Sequence, residues 1–390
     1  MSGTSLDGVD VARAKFSWNF EKNRLNCTDI AVYTVAMPLA IRKQALALQA
    51  DGAGNSGTLK ELTALHQTLG KLFASAVEEA LTVWQLPRAD VLCVGSHGQT
   101  VYHQPPTIDD SGAKQAGVTL QLGDLAMMAA QLHLPIIGDF RLRDMAVGGQ
   151  GAPLVPFFDT LFFAEAGKVK CLQNMGGIGN VTVLNGITAD PIAFDTGPGN
   201  MLIDGAMMAL FNQPFDENGE MAKQGTLIPA LLDRLKQHPF LGQQPPKSTG
   251  REAWGTAYFQ PLIDEFLQNH QPEELIATFT AFTAWSLVNA YERYVLPRVS
   301  RIDEILISGG GAYNPSLIHW VQYWINQSSA FGEIGGMPSF SNCEVYGLPN
   351  MAKEAVAFAL LAWARYFGLL NNLPSCTGAS GFVSMGHWVV

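Results

Sequence analysis

The chain has 390 residues, of which 47% are hydrophobic and 15% charged, and a chain of this length usually needs two hydrophobic cores, so we expect two domains. Its formal charge of −10 argues against nucleic acid as a partner, because contacts with a phosphate backbone require a basic face. The five cysteines are scattered without CxxC spacing, and we find neither a signal peptide nor the roughly 18 apolar residues of a membrane span, so we expect a cytoplasmic protein without a membrane partner.

Short apolar runs of strand type alternate along the chain with longer stretches that carry apolar residues at helical spacing. The extended runs are residues 91–95, 135–140, 169–173, 181–184 and 302–308. The helical stretches are residues 59–84, 200–211, 228–236, 274–294 and 350–367. This alternation predicts an α/β fold.

Glycine-rich turns follow several of these runs, and one opens the chain. They are residues 2–8, 174–177, 197–200 and 308–311. A glycine lacks a Cβ, so a phosphate oxygen can approach the backbone, where successive N–H groups point at it. One such turn is usually only a tight connection, but four of them predict a nucleotide site. There the hydroxyls of Thr4 and Ser5 are further donors, and Asp7 is a candidate ligand for Mg²⁺, which takes one or two carboxylates besides phosphate and water.

Asp195 is the strongest candidate for a catalytic residue. It precedes the glycine turn 197–200 and the helix predicted after that turn. An aspartate before a helix normally caps it by accepting N–H bonds, but Asn200 and Asp204 are closer to this helix than Asp195 is. In phosphoryl transfer a carboxylate placed against a hydroxyl or water is the recurring base. We therefore favour a base over a helix cap.

Two other polar residues have alternatives that the sequence leaves open. His97 follows the predicted strand 91–95, and ligands of open α/β sheets bind beyond the carboxyl ends of strands. A structural hydrogen bond is an equal alternative for this histidine. Glu354 begins the predicted helix 350–367, either as a solvated acid favoured by the helix dipole or as a partner for ligand hydroxyl groups.

Pro and Gly mark two dense joints. The first, residues 148–153, is expected to be an interdomain crossing. The second, residues 243–250, is expected to be a surface loop from which Lys-Ser-Thr-Gly-Arg, residues 247–251, reaches into a cleft.

Eight motifs recur in order along nearly the whole chain. They are residues 1–8, 95–100, 139–141 with Asp144, 148–154, 174–180, 194–200, 246–252 and 308–314. Together they resemble the anhydro-N-acetylmuramic acid kinases, a bacterial family within the actin, hexokinase and Hsp70 ATPase-fold superfamily. General sugar kinases of that superfamily share the loops but lack Gly-Gln-Gly-Ala-Pro, residues 149–153, and the 247–251 motif.

The resemblance implies a two-lobed fold with duplicated ribonuclease-H-like cores and ATP and Mg²⁺ bound in the interlobe cleft. We expect an N-terminal lobe of residues 1–140, a C-terminal lobe of residues 141–349, and a C-terminal helical segment, 350–390, that packs back on the first lobe. The implied reaction opens 1,6-anhydro-N-acetylmuramic acid by hydrolysis and phosphorylates O6, giving N-acetylmuramic acid 6-phosphate and ADP in peptidoglycan recycling. Such enzymes are usually homodimers.

The resemblance also implies roles for individual residues. Asp195 is the catalytic base, and Arg141 and Glu354 lie near the sugar. We further predict Asp7 as the metal ligand and His97, Gln99 and Gln150 as sugar contacts. The nucleotide site comprises Gly3, Thr4, Ser5, Leu6, Asp7, Gly8, Val9, Asp10, Asn174, Gly176, Gly177, Gly197, Gly199, Asn200, Ser308, Gly309, Gly310, Gly311 and Asn314.

Two alternative functions stay open at the level of the sequence. Another sugar kinase of the superfamily would use the same loops, and a panel of sugars would separate it from the anhydro-sugar kinase. A nucleotide-driven switch of the actin or Hsp70 type would hydrolyse ATP without a small substrate. Such switches usually carry an extended partner surface or tail, which we do not find in this sequence.

Members of the family normally have a short strand before the Met-Ser-Gly-Thr-Ser segment, and here the sequence starts at that segment with Met1. Either the edge of the first sheet is truncated or the start of the sequence is assigned late, and we expect a missing strand to loosen the loop 2–8 and to weaken ATP binding. A chain extended by about ten residues, a strand with a short lead, should therefore bind ATP more tightly in a side-by-side titration. Equal affinities would contradict this expectation.

Overall fold

The computed structural model describes residues 1–3, 6, 8–19, 24–50, 59–108, 114–187, 190–334 and 337–390. Its strands are β1 (Gly8–Asn19), β2 (Arg24–Ala36), β3 (Val94–Gly95), β4 (Gln99–Gln104), β5 (Thr107–Ile108), β6 (Lys114–Gln115), β7 (Val118–Leu122), β8 (Ile136–Gly138), β9 (Val169–Met175), β10 (Ile178–Asn185), β11 (Ile192–Pro198), β12 (Glu304–Ser308), β13 (Ser339–Asn342) and β14 (His387–Val389).

The α-helices alternate with these strands, which confirms the predicted α/β class. They are α1 (Leu39–Ala50), α2 (Leu59–Val83), α3 (Leu125–Leu132), α4 (Phe140–Ala146), α5 (Pro156–Phe163), α6 (Met201–Phe211), α7 (Glu220–Gln224), α8 (Pro229–Leu235), α9 (Arg251–Trp254), α10 (Thr256–Phe266), α11 (Pro272–Ala290), α12 (Pro315–Gln327), α13 (Ser329–Glu333), α14 (Lys353–Tyr366) and α15 (Pro374–Thr377). A π-helical turn, Tyr291–Val295, continues α11, and 3₁₀ turns cover Arg88–Asp90, Glu217–Gly219, Pro239–Gly242, Leu296–Arg298, Gly310–Tyr313, Cys343–Tyr346 and Asn350–Ala352.

The chain divides into two compact units. The first unit is Met1–Phe162 together with Ala352–Val390, and the second is Phe163–Met351. Residues 141–162, which the sequence analysis placed in the second lobe, belong to the first unit in this division. Within the described ranges, no helix combines the length and the apolar character needed to cross a membrane.

The second unit is built on one five-stranded sheet with the order β11-β10-β9-β12-β13. β9, β10 and β11 form an antiparallel meander, while β12 runs parallel to both β9 and β13. β9, β11 and β12 therefore all run in the same direction. Their carboxyl ends meet at one edge of the sheet.

Helices cover this sheet and build a second core beside it. Buried side chains of α11 and α12, such as Leu287 and Val321, pack on sheet residues such as Ile305. Helices α6, α8, α10 and α11 surround a second cluster that contains Trp254 and Phe279. A capping box, in which the side chains of Gln271 and Glu274 bond each other's backbone N–H groups, begins α11.

The first unit contains the antiparallel hairpin β1–β2 and the sheet β14-β8-β3. Its core joins α2 and α3, through side chains such as Phe73 and Met128, to β8 at Ile136. Helix α14 packs against β1, β3 and β8. The C-terminal strand β14 pairs with β8, so the end of the chain is part of this unit.

The predicted elements differ from the observed ones in their bounds. The predicted strand 135–140 is only Ile136–Gly138 in the structure, because Asp139 has a left-handed φ of 53° and α4 begins directly after it. The hairpin β1–β2 and the strand β11, which contains Asp195, were not among the predicted strands. Many of the side chains of β1 and β2 are only partly buried, so the two strands lack a continuous apolar run.

Candidate active site

Three of the four predicted glycine turns lie together at one edge of the second unit's sheet. The turn 174–177 follows β9, the turn 197–200 follows β11, and the turn 308–311 follows β12. Because these strands run in the same direction, their carboxyl ends meet, as in the ligand-binding edges of open α/β sheets. Ser308 pairs with Asn174 in the register of β12 and β9.

The glycine turns contact each other at positions where a side chain would collide with neighbouring atoms. The N–H of Asn200 donates to the carbonyl oxygen of Gly176 at 2.7 Å. A Cβ on Gly199 would lie 2.1 Å from the same oxygen, so only glycine fits there. Gly309 has a φ of +79°, and a Cβ on it would lie 2.7 Å from Asn174 Oδ1. Folding therefore requires both of these glycines.

Gly176 and Gly177 are different, because none of the described residues around them requires a glycine at either position. A Cβ on Gly177 would meet Met201 Cε at 3.6 Å, and one on Gly176 would meet Asn174 Nδ2 at 3.6 Å, which are ordinary contacts. Neither glycine has a positive φ. A ligand that approaches the backbone closely is one reason to have glycine here.

Ser308 and Asn314, two other residues of the predicted nucleotide site, differ in their hydrogen bonds. The buried hydroxyl of Ser308 has no hydrogen-bond partner among the described residues, which leaves a polar group at the sheet edge for a ligand. Asn314 instead caps α12, since its side chain accepts the N–H of Leu317 at 3.0 Å.

The carboxylate of Asp195 is held by the loop that carries the 247–251 motif. Its Oδ2 accepts the backbone N–H of Thr249 at 2.8 Å, and its own N–H donates to the carbonyl oxygen of Lys247 at 3.0 Å. The carboxylate accepts no N–H of α6, the helix that follows the glycine turn. The alternative of a helix cap is therefore wrong.

Burial raises the pKa of Asp195 to about 7, although the Thr249 N–H and the Lys247 ammonium both favour the charged carboxylate. Lys247 is itself buried. Its Nζ lies 4.4 Å from the ring centroid of Phe240 and 4.7 Å from that of Tyr294. Burial lowers the pKa of Lys247 to about 8. A carboxylate with a pKa near 7 suits a general base at neutral pH.

Residues 243, 244, 246 and 248 of the predicted surface loop 243–250 are exposed, whereas Lys247 points inward and is only 6% exposed. The 247–251 motif is visible in the sequence, but its connection to Asp195 through Lys247 and Thr249 is not. The motif was the only signal that could have pointed to them. The hydrogen bonds that connect them span more than fifty residues of sequence, and no periodic pattern reveals such a contact.

In the first unit, His97 and Arg141 form a buried pair. Arg141 Nη2 lies 3.0 Å from His97 Nε2, and His97 Nδ1 lies 2.8 Å from the carbonyl oxygen of Gly98. A guanidinium only donates and a carbonyl only accepts, so we assign the proton to Nδ1 of a neutral imidazole. Burial, reinforced by Arg141, lowers the pKa of His97 to about 3. Both ring nitrogens thus form hydrogen bonds within the protein, as expected from the alternative in which His97 makes structural hydrogen bonds.

Arg141 keeps donor capacity for a ligand. Its Nη1 donates to the carbonyl oxygen of Gly151 at 2.7 Å, but its buried Nε has no partner among the described residues. Burial lowers the pKa of Arg141 to about 10, and the charge of Glu354 opposes this shift. The guanidinium therefore stays protonated at neutral pH.

Glu354 lies in the first turn of α14 and is partly buried. Burial raises its pKa, while Lys353 and Arg141 oppose the shift. Glu354 is therefore partly desolvated, which is closer to the second alternative, a partner for ligand hydroxyl groups. The neighbouring Lys353 forms a buried ion pair with Asp159 at 3.1 Å, which anchors the start of α14.

Gln99 and Gln150 support loops in the first unit. The hydroxyl of Ser2 donates to Gln99 Oε1 at 2.6 Å, and Gln99 Nε2 donates to the carbonyl oxygen of Gly3 at 3.4 Å. The backbone N–H of Gln150 donates to the carbonyl oxygen of Thr377 at 2.7 Å. The Gln99 amide therefore holds the opening loop.

Only part of that opening loop is described. Thr4, Ser5 and Asp7 lie outside the described residues. The side chains of Leu6 and Val9 belong to the hydrophobic core, which leaves their backbone as the part that a nucleotide can contact. Asp10 accepts the Thr34 hydroxyl at 2.7 Å. Within the described ranges, no group of three or more His, Cys, Asp or Glu side chains is arranged to hold a metal ion.

Comparison with known proteins identifies relatives over the full length of this chain. A family model described as anhydro-N-acetylmuramic acid kinase matches residues 1–389. A protein of that name from Bacillus cereus strain G9842 is 38% identical over 394 residues, which cover 99% of this chain and 97% of the relative. Another, from Bacillus thuringiensis subsp. konkukian strain 97-27, is 37% identical with the same coverage.

Two solved structures show a weaker likeness. A ROK family glucokinase from Streptomyces griseus in complex with glucose and AMPPNP has 10% identity and a TM-score of 0.37, over 86% of this chain and 95% of the glucokinase. The activator of the 2-hydroxyisocaproyl-CoA dehydratase from Clostridium difficile with bound ADPNP has 12% identity and a TM-score of 0.34, over 67% and 90% of the two chains. The family assignment rests on the sequence relatives alone.

Gly177 can be substituted without disturbing the packing of the turns. Gly177→Ala should leave the thermal unfolding midpoint unchanged, because a Cβ there meets only an ordinary contact. It should weaken ATP binding roughly ten- to hundredfold, the value of one hydrogen bond to a charged group. Calorimetric titration with ATP measures this effect. Gly242→Ala is the control, since a Cβ at Gly242 meets nothing within 4 Å, and unchanged affinity in Gly177→Ala would remove the turn from the nucleotide site.

Proposed function

Because the chain belongs to the anhydro-N-acetylmuramic acid kinase family, we propose that Asp195 is the general base of its reaction. The enzyme is an ATP-dependent phosphotransferase that opens 1,6-anhydro-N-acetylmuramic acid and phosphorylates O6, giving N-acetylmuramic acid 6-phosphate and ADP. Another sugar kinase or an ATPase switch is not favoured, since the relatives carry the name of this one activity. The observation that supports the base is a carboxylate with a pKa of about 7 beside the glycine turns.

The bicyclic substrate explains why one carboxylate suffices. Its C1 and O6 are bridged, so attack of water at C1 breaks the C1–O6 bond and releases O6 as an alkoxide. An ordinary glycosidase needs an acid to protonate the leaving oxygen and a second carboxylate to direct water. In the proposed reaction the γ-phosphoryl group captures O6 as its bond to the ADP oxygen breaks, and Asp195 takes the proton of the attacking water. Attack opposite the bridge gives the α anomer.

The two oxygens of Asp195 have separate tasks in this proposal. Oδ2 accepts the Thr249 N–H, which fixes the plane of the carboxylate. Oδ1 has no hydrogen-bond partner among the described residues and is the oxygen that receives the proton from water. Positioning of this kind accounts for much of what an enzyme contributes to phosphoryl transfer, which involves little covalent chemistry by the protein.

The nucleotide is assigned to the glycine turns of the second unit. Gly176 and Gly177 leave their backbone open to a phosphate oxygen, and the N-terminus of α6 follows the neighbouring turn 197–200 without a side-chain cap. Uncapped N–H groups at a helix start favour an anion. The Ser308 hydroxyl is a further donor at the same edge.

We further infer that Mg²⁺ accompanies ATP, where it would neutralise charge on the phosphates. One or two protein carboxylates are enough, because Mg²⁺ keeps several waters and binds phosphate oxygens. Asp7, which lies outside the described residues, is the candidate ligand from the sequence, and the partly exposed Asp10 is a second carboxylate close to it in the chain.

The sugar contacts are assigned to Arg141 and Glu354. The support is the unpartnered Nε of Arg141 and the partial desolvation of Glu354, whose charge interacts with that of Arg141. In this proposal His97 and Gln99 act by holding Arg141 and the opening loop. Gln150 is kept as a sugar contact on the family resemblance alone.

We also infer a role in peptidoglycan recycling, since the substrate is an amino sugar of the cell wall. The family resemblance supports a homodimer. The five cysteines are all free, which supports the reducing environment of the cytoplasm.

Isotope labelling tests the reaction. In water enriched in ¹⁸O, the product should carry one heavy oxygen, and it should be at C1 because water attacks that carbon. Mass spectrometry of the sugar phosphate and of phosphate released from it locates the label. Heavy oxygen in free phosphate, with none at C1, would indicate plain ATP hydrolysis and would exclude coupled ring opening.

Substitution of Asp195 tests the base. Asp195→Asn should lower kcat about a hundred- to ten-thousandfold, the usual contribution of general-base catalysis, while both substrates still bind. Asp264→Asn, at an exposed position of α10, is the control, and substantial turnover by Asp195→Asn would rule the assignment out.

The pH dependence of the unsubstituted enzyme also tests the base. Its kcat/KM should fall about tenfold per pH unit below pH 7, because the proton acceptor is the ionised form of a group whose pKa burial raises to about 7.

A further inference from the structure

Asp144, on α4, is a fully buried carboxylate to which the proposed reaction gives no role. Both of its oxygens accept hydrogen bonds. Oδ1 accepts the hydroxyl of Thr377 at 2.8 Å and the side-chain amide of Asn372 at 3.0 Å. Oδ2 accepts the backbone N–H of Gly151 at 2.9 Å. All three donors are uncharged, and a buried carboxylate is costly unless its oxygens are satisfied, so the site depends on each of them.

Asp144 and Arg141 hold the two sides of a single residue, Gly151. They are three residues apart on α4 and therefore lie on the same face of the helix. Asp144 accepts the N–H of Gly151, and Arg141 Nη1 donates to the carbonyl oxygen of the same residue at 2.7 Å. Arg141 Nη2 lies 3.0 Å from His97 Nε2. Both terminal nitrogens of the guanidinium are thus held, and the Gly151 carbonyl oxygen helps to set its plane.

The loop 148–151, which carries Gly151, is also held by the C-terminal part of the chain. The N–H of Gln150 donates to the carbonyl oxygen of Thr377 at 2.7 Å. Thr377 therefore contacts the loop directly through its backbone and indirectly through the carboxylate of Asp144. It follows Asp144 by 233 residues in the sequence, and the fold of the first unit brings the two together.

The residue types of this loop and of position 144 fit the same arrangement. A Cβ on Gly149 would lie 2.2 Å from Asp144 Oδ2, so glycine there leaves room for the carboxylate. A carboxylate is needed because an asparagine would present one acceptor oxygen and one NH₂ donor. That NH₂ group would then face another donor, either the Gly151 N–H or the Thr377 hydroxyl.

We propose that Asp144 is a positioning residue for the sugar site and that Thr377 and Asn372 act through it. The carboxylate fixes Gly151, and the Gly151 carbonyl oxygen holds the guanidinium of Arg141 in the orientation that binds the sugar. This inference rests on the proposed assignment of Arg141 to the sugar. Because it concerns an orientation for binding, its loss raises the KM for the sugar more than it lowers kcat.

Two substitutions of Thr377 separate its hydroxyl from its packing and disturb the core less than a substitution of Asp144, which accepts three hydrogen bonds. Thr377→Val keeps the size of the side chain and removes the donor to Asp144. Thr377→Ser keeps the donor and removes a buried methyl group. Steady-state kinetics of the full-length enzyme give kcat and the KM for each substrate, and thermal unfolding gives the stability of each variant.

We expect Thr377→Val to raise the KM for the anhydro sugar roughly tenfold, the lower end of the value of one hydrogen bond to a charged group. The KM for ATP should stay unchanged, since the nucleotide is assigned to the second unit. Thr377→Ser should keep the sugar KM, although the lost methyl group lowers the unfolding midpoint. A sugar KM that follows the unfolding midpoint rather than the presence of the hydroxyl would overturn the proposal.

Arg141→Lys shows whether Thr377 acts through Arg141. This substitution keeps the charge but removes the planar fork, so it should itself raise the sugar KM. In the Arg141→Lys background, Thr377→Val should have little further effect, because residues in one chain of contacts are not additive. An undiminished effect of Thr377→Val would overturn this inference alone. An unchanged sugar KM in Arg141→Lys would contradict the assignment of Arg141 to the sugar, and this inference with it.

Discussion

The desolvation of Asp195 is the constraint on which the site in the second unit depends. Removing a carboxylate from water disfavours its charge, and here the backbone N–H of Thr249 and the ammonium of Lys247 offset part of that effect. The result is a pKa of about 7, which is high enough for a strong base and low enough for partial ionisation at neutral pH. The 247–251 segment therefore positions the carboxylate and also tunes it.

The glycines of the turns around this carboxylate have two different physical reasons, packing of the turns and access for a ligand, which a sequence does not distinguish. At Gly199 and Gly309 a side chain would collide with neighbouring backbone or side-chain atoms, so packing of the turns demands glycine. At Gly176 and Gly177 the protein leaves room for a Cβ. Glycine at the second pair is explained by a ligand that needs the space, which is why this pair supports the nucleotide assignment.

Burial also shifts the pKa values of His97, Arg141 and Glu354 in the first unit. The neutral imidazole of His97 accepts a hydrogen bond from Arg141, which orients a buried guanidinium without adding charge. Glu354 is desolvated nearby and has a raised pKa.

The sequence by itself determined the α/β class and the approximate positions of the long helices, because apolar periodicity is a local property. Ordered motifs of glycine and polar residues likewise identified the family and selected Asp195. Only the tertiary structure decided that Lys247 is buried, that Thr249 binds Asp195, and that both nitrogens of His97 are occupied. These facts depend on contacts between residues far apart in the chain. Burial and pKa arise from such contacts and leave no periodic trace in the sequence.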